Sequence, residues 1–311
     1  MNITGPKAFV GIDIGGTAIK AMAYSPHGDV LAEVKLPTED DGSKTWIKNV
    51  RSVYNSVVAG CPHSIRVGIA APGIANENGR SIRFMPGRLQ GLENLDWQSE
   101  LGLEYSIPVL NDAQAALLGE HWLGAARGCS NVVLLTLGTG VGGAAMVDGR
   151  ILRGHIGRAG HLGHISLNPD GPLDIANTPG SLEDAISEHT LSARSNGHFV
   201  STVELVAAVR QNSTDANQIW LRSIRALAAG LAGLINVLDP QVVILGGGIA
   251  EAGEPLFGPL RSELDRFEWR PGGSSARLAH AELGSNSGAA GAARAAQLEA
   301  EGLQHSLVTA D

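Results

Sequence analysis

Cysteine is nearly absent from this 311-residue chain, which holds only Cys61 and Cys129. Two thiols are too few for a disulfide framework or a four-thiolate metal site, and they suit a reducing compartment. Positive charge is scarce as well. Lys and Arg number 23 against 31 Asp and Glu, a net −8 that repels phosphodiester backbones and anionic membrane surfaces. Nucleic acid and membrane are therefore poor partners. The opening, Met1 to Lys7, lacks a basic segment followed by an apolar run, and no later apolar run is long enough to cross a bilayer. These absences predict a soluble, cytoplasmic protein. Low-complexity linkers and heptad arrays are missing too.

What remains is 43% hydrophobic and 17% charged with 41 glycines, the composition of a compact α/β protein dense in tight turns. The length exceeds the usual single hydrophobic core, which favours two domains with a cleft between them.

Ala8–Ile14 and Ile19–Tyr24 are short apolar runs around Gly15-Gly16-Thr17, and Val30–Leu36 reads as a third strand of an antiparallel meander. Asp13, two bare glycines and a hydroxyl can hold phosphate oxygens and a hydrated Mg²⁺. Taken alone, Gly-Gly after a strand is more often a plain hairpin, and the Lys-Ser/Thr ending of a Walker loop is missing. A helix from about Lys44 to Val58 precedes the buried strand Ile65–Ala71. That strand stops at Pro72-Gly73, either an ordinary turn or a place where a substrate approaches bare backbone. Asn76 to Leu95 has no period and reads as an excursion.

Ile107–Leu110 is a short strand, Asn111-Asp112 follows, and Ala113–Leu123 is helical. By local chemistry Asp112 is first a helix N-cap. The sharper reading is a general base, because ligands bind at the carboxyl ends of strands in such sheets. Asn131–Leu137 and Ala144–Val147 enclose a second glycine turn, Gly138 to Gly143. Two such turns, each with a Thr, suggest jaws gripping one polyphosphate.

The cluster Arg158 to His164 places His161 and His164 together without a third metal-type ligand, so substrate hydrogen bonding is the better reading; His155 and His189 read as surface or core residues. Ser181 caps a helix start at Leu182-Glu183-Asp184, where Glu183 is by default a first-turn acid. From Asp215 a long helix carries a core stripe of Trp220, Ile224, Leu227, Leu231, Leu234 and Leu238 and ends at Asp239-Pro240. Val242–Leu245 then runs into Gly246-Gly247-Gly248, a third turn on which a flat adenine can lie. Ala289–Leu298 is a final Ala-rich helix, and His305–Asp311 reads as frayed tail. Each half opens with strands around a glycine turn, a faint duplication.

Taken in order, Asp13-Ile14-Gly15-Gly16-Thr17, Ala71-Pro72-Gly73, Asn111-Asp112-Ala113, Leu137 to Gly143, Gly160 to His164 and Leu245 to Gly248 resemble the ROK sugar kinases. These belong to the actin-like ATPase superfamily with hexokinase and hsp70. The resemblance spans Gly11 to about Gln297. It implies a two-domain, ribonuclease H-like α/β fold with an interdomain cleft, divided into 1–118 plus 288–311 and 119–287. It further implies an ATP-dependent carbohydrate kinase with Asp112 as catalytic base. The nucleotide would meet Asp13, Gly15, Gly16, Thr17, Gly138, Thr139, Gly140, Gly246, Gly247 and Gly248. Mg²⁺ would sit near Asp13 through water. Gly73, Asn111, His161, His164 and Glu183 would hold a hexose, and the family favours a homodimer. An ordinary Asp pKa of about 3.9 keeps Asp112 ionised without tuning.

Two departures stand out. Many members hold a structural zinc with one His and three Cys; here His164 survives, but Asp174, Ala176 and Ser181 stand where the thiolates belong. Zinc is therefore expected to be absent, with Asp174 or Ser181 fixing His164 by a hydrogen bond. His161 replaces the family's sugar-binding Glu, which puts substrate choice in question. Three alternatives stay open: a sugar-sensing regulator, disfavoured by charge and by a first strand as early as Ala8; a catalytically silent sugar-binding protein; and an actin-like phosphotransferase with a non-hexose acceptor.

Overall fold

The computed structural model describes residues 6–61 and 64–303; the tail read at His305–Asp311 lies outside the described residues. In chain order the first elements are β1 (Ala8–Ile14), β2 (Ala18–Tyr24), β3 (Val30–Pro37), α1 (Thr45–Ala59), β4 (Ile65–Ala71), β5 (Ile74–Ala75), β6 (Ile82–Phe84), α2 (Trp97–Leu101), β7 (Val109–Asn111) and α3 (Asp112–Leu123). There follow β8 (Val132–Leu137), β9 (Val141–Val147), β10 (Arg150–Ile151), α4 (Leu182–Ile186), α5 (Leu191–Arg194), α6 (Thr202–Arg210), α7 (Thr214–Leu238), β11 (Val242–Gly246), α8 (Glu254–Phe267), β12 (Arg277–His280) and α9 (Ser287–Ala300).

Two compact units emerge, one of residues 1–128, 148–160 and 282–311, the other of 129–147 and 161–281. The sequence reading divides the chain at 118/119 and 287/288 instead. The difference arises because all of α3, to Leu123, packs on α9 in the first unit.

In the first unit β1 pairs antiparallel with β2 and β2 with β3, while β1, β4 and β7 run parallel, giving the order β3-β2-β1-β4-β7. One face is closed by α1, whose Trp46, Val50, Val53 and Val57 recur at helical spacing and are buried. α9 covers another part of the sheet mainly through Ala and Gly, with Leu298 joining Ala70 and Leu110 at its far end. Gly11 of β1 and Gly68 of β4 leave the space that a Cβ would take from the carbonyls of Ala289 and Ala292. Gly291 likewise lies on the carbonyl of Ala115 in α3.

The second unit repeats the scheme: β8 pairs antiparallel with β9 and parallel with β11, which pairs parallel with β12. The duplication faint in the sequence is thus a repeated order of hairpin followed by parallel strands. α7 is long and apolar enough, at a mean hydropathy of 1.4, to match a membrane span by length and composition, although polar residues interrupt its apolar stretches. Its stripe of Trp220, Ile224, Leu227, Leu231 and Leu234 is buried, and it packs on α4, α6 and α8 as a core helix. α6, α8 and β12 have no counterpart in the sequence reading. α8 carries an internal Pro259 that hides its helical pattern, and the four residues of β12 are too few to show a period.

Replacing Gly291 with Ala drives a methyl into the α3 backbone and is expected to destabilise the fold by about 1–3 kcal/mol. Gly233→Ala in α7, where a Cβ meets nothing within 4 Å, is expected to stabilise by up to about 1 kcal/mol. Urea unfolding of both variants checks the contrast.

Candidate active site

In the first unit the parallel register sets Asp13 of β1 beside Ala70 of β4, and Ala71 of β4 beside Asn111 of β7. Three strand ends therefore deliver Asp13 with Gly15–Thr17, Pro72-Gly73, and Asn111-Asp112 to one edge of the sheet. Gly73 has φ +100°, and a Cβ there would press on the Phe84 carbonyl at 2.6 Å, so both conformation and space require glycine.

The helix cap is Asn111, not Asp112. Asn111 Oδ1 accepts from the Ala113 and Gln114 amides at 2.9 and 3.3 Å, while its Nδ2 donates to the Gly73 carbonyl at 2.9 Å. Asp112, the first residue of α3, accepts from its neighbour Ala113 N at 2.8 Å and from the Asn111 side chain. The residue is exposed at the surface of the unit, and desolvation by the surrounding protein raises its pKa against the opposing pull of hydrogen bonds and the Arg88 charge. The expectation of an unshifted Asp112 is corrected accordingly.

Asp13 is raised to about 7, first by desolvation, then by the negative charge of Asp112, with Lys20 pulling the other way. Lys20 faces Asp13 across the β1–β2 pair and donates to Ser285 O at 3.0 Å, Ser285 Oγ at 2.9 Å and Asn286 Oδ1. Gly288, at the start of α9, lies against the Asp13 carboxylate. Two carboxylates that repel each other at a phosphate-type turn fit a divalent cation, which would relieve the repulsion.

Arg88 and Lys20 are the residues that sequence reasoning missed. Lys20 was findable, since a hairpin pairing Ile14 with Ile19 pairs Asp13 with Lys20. Arg88 sits in the excursion without period and reaches Gly16 O and Asp40 Oδ2 at 3.3 Å each; no local signal marks it.

In the second unit the turns after β8 and β11 are neighbours: Thr136 pairs with Gly246, and Ile249 N donates to Leu137 O at 3.0 Å. Glu183 of α4 is buried against the first of these turns, its Oε2 accepting from Val141 N at 2.8 Å. His189 N donates to Thr139 O at 3.2 Å and Glu188 N to Gly138 O at 2.9 Å, so the segment after α4 supports Gly138–Gly140 from below. His189, read from sequence as a plain surface or core residue, is therefore part of this support.

His161 caps and His164 closes a single 3₁₀ turn, Leu162–His164. Burial, then the charge of His164, holds His161 below the usual histidine range. His164 Nδ1 lies 2.8 Å from Asp174 Oδ2, while Ser181 Oγ caps α4 by accepting from Asp184 N at 3.2 Å. A carboxylate already engaged, an alanine with no donor atom and a capping hydroxyl do not form a zinc site.

Two units with the same order of hairpin and parallel strands, each with glycine turns at strand ends, define the actin-like ATPase fold. The model of the ROK family matches residues 9–299. A glucokinase of Thermotoga maritima is 34% identical over 82% of this chain and 86% of its own length. A ROK hexokinase of Thermus thermophilus superposes with a TM-score of 0.83 at 32% identity, covering 95% of this chain and 99% of that one. A ROK glucokinase of Streptomyces griseus, solved with glucose and AMPPNP, gives 0.77 at 29% identity over 93% and 99%. The chain belongs to the ROK family.

The Asp13 shift has a consequence for stability. Between pH 3.8 and about 7 the native state keeps a proton that the unfolded chain has released, so stability falls as pH rises through that window and the penalty is complete above it. Asp13→Asn removes the fall. Its melting temperature is expected to match wild type near pH 4 and exceed it by about 3 °C or more at pH 8. Added Mg²⁺ should raise the wild-type value at pH 8 and leave the variant unmoved, as differential scanning fluorimetry would read.

Proposed function

We propose that this ROK member, an ATP-dependent carbohydrate kinase, phosphorylates a hydroxyl of a hexose or hexose derivative with Asp112 as general base. The observation that carries the reading is the division of labour at the start of α3. Asn111 does the capping, which leaves the Asp112 carboxylate, held by Ala113 N and the Asn111 side chain, exposed at the strand end. Desolvation raises its proton affinity, the direction a base needs.

As the sugar oxygen attacks the terminal phosphorus of ATP, its proton passes to Asp112. The bond from that phosphorus to the bridging oxygen breaks, and ADP leaves with the electron pair. Backbone N–H groups of Gly15, Gly16, Thr17, Gly138, Thr139 and Gly140 are assigned to the phosphate oxygens. Gly246, Gly247 and Gly248 are assigned to the adenosine. A divalent cation held through water at Asp13 would neutralise charge on the phosphates.

The sugar falls to Gly73, Asn111, His161, His164 and Glu183. Asn111 sets its amide between the Gly73 carbonyl and Asp112, and Glu183 keeps one oxygen beyond its bond to Val141. His161 supplies one donor and one acceptor in place of an anionic acceptor, which supports a substrate that differs from glucose at C1 or C2.

An ATP-consumption screen over hexoses, 2-acetamido sugars and ketoses tests both parts. Glucose is expected to be a poor acceptor, and glucose as the best sugar of the panel would refute the substrate reading. Asp112→Asn is expected to lower turnover of the best sugar about 10²–10⁴-fold while nucleotide binding persists. Full activity in that variant would remove Asp112 from the chemistry.

A further inference from the structure

The segment 165–181 is closed on itself by polar contacts. Leu167 N donates to Gly180 O at 2.8 Å, Gly180 N to Pro172 O at 2.7 Å, Asp174 N to Thr178 O at 3.0 Å, and Ser166 Oγ to Pro179 O at 2.6 Å. At its tip Leu173 and Ile175 are 63% and 86% exposed, yet the Asp174 side chain between them is 0% exposed. Apolar burial therefore does not hold this tip inward. Asp174 does: Oδ1 accepts from the Ala176 and Thr178 amides at 2.8 Å each, and Oδ2 meets His164 Nδ1 at 2.8 Å.

One carboxylate thus joins the tip of the segment to the histidine assigned to the sugar. A carboxylate only accepts, so whenever the ring opposite it is neutral its proton sits on Nδ1. His164 Nε2 makes no hydrogen bond among the described residues and is left as an acceptor.

We propose that Asp174 is a positioning residue that holds His164 in the Nδ1–H tautomer, presents its Nε2 lone pair to a sugar hydroxyl, and takes the place of a metal ion as organiser of residues 165–181. A carboxylate behind a functional imidazole commonly fixes ring orientation and tautomer in this way. Burial alone would raise the Asp174 pKa, but hydrogen bonds from His164, Thr178, Ser181 and Ala176 outweigh it and keep the group below its ordinary value, so it stays an acceptor at neutral pH. The sugar-facing part rests on the kinase reading above; the tautomer and the missing metal do not.

Asp174→Asn separates positioning from mere structure. Its amide oxygen can keep both backbone bonds, while its amide nitrogen becomes a donor toward His164 and forces the ring proton to Nε2. ¹⁵N spectra of the ring nitrogens should show Nδ1–H in wild type and Nε2–H in the variant. The variant should melt close to wild type. Its KM for the best acceptor among glucose and N-acetylmannosamine should rise about tenfold, with the KM for ATP unchanged.

A wild-type Nε2–H tautomer overturns the proposal. So does an unchanged sugar KM in a variant whose tautomer has switched, or one tightly held zinc per purified chain. A wild-type protein that consumes ATP with no sugar would instead remove the kinase reading, while the ring spectra and metal content still decide the role of Asp174.

Discussion

Everything in the first unit that bears on chemistry depends on how closely α9 can lie on the sheet. Gly11 and Gly68 open the sheet face, Gly291 opens the helix toward α3, and the backbones approach to distances that a single methyl would forbid. That approach brings the first turn of α9, at Gly288, against Asp13, and Ser285-Asn286 just before it to Lys20. It also seats α3, whose first residue is Asp112. Hydrophobic bulk could not do this. A leucine-faced helix would stand several ångströms higher, and the carboxylates would lose their surroundings.

The result is an electrostatic conflict built at three adjacent strand ends. Asp13 and Asp112 each carry desolvation, and the charge of Asp112 worsens the ionisation of Asp13, with Lys20 and Arg88 as partial compensation. Perturbed carboxylates at strand ends are poor for stability and useful for chemistry, because the same field that penalises two negative charges rewards a cation or a transferable proton. Asn111 makes the arrangement possible by satisfying the helix end and fixing Gly73 at once.

The second unit solves a different problem, the holding of its glycine turns by directed hydrogen bonds. Glu183 accepts from Val141 N, while the Glu188 and His189 amides bond the carbonyls of Gly138 and Thr139. Asp174 does the equivalent for the segment beyond His164. Buried carboxylates accepting backbone N–H bonds give directional restraint, and each is set by a residue whose type alone looks unremarkable.

The sequence by itself determined the strands, their glycine turns and the long core helix, because period, apolar runs and Gly positions are local properties. It also determined the family, because six motifs in order are rarer than any one of them. It placed Asp13, Gly73, Asn111 and Asp112 at strand ends, since a strand followed at once by Gly or by a helix leaves little freedom. It did not decide which of Asn111 and Asp112 caps α3, since both are good caps and only the Gly73 carbonyl, 38 positions away, breaks the tie. Nor could it reveal Arg88 beside Gly16, the support of Gly138–Gly140 by Glu188 and His189, or the depth of the Asp13 shift. Those depend on desolvation and on contacts between residues far apart in the chain, which exist only once the backbone has closed.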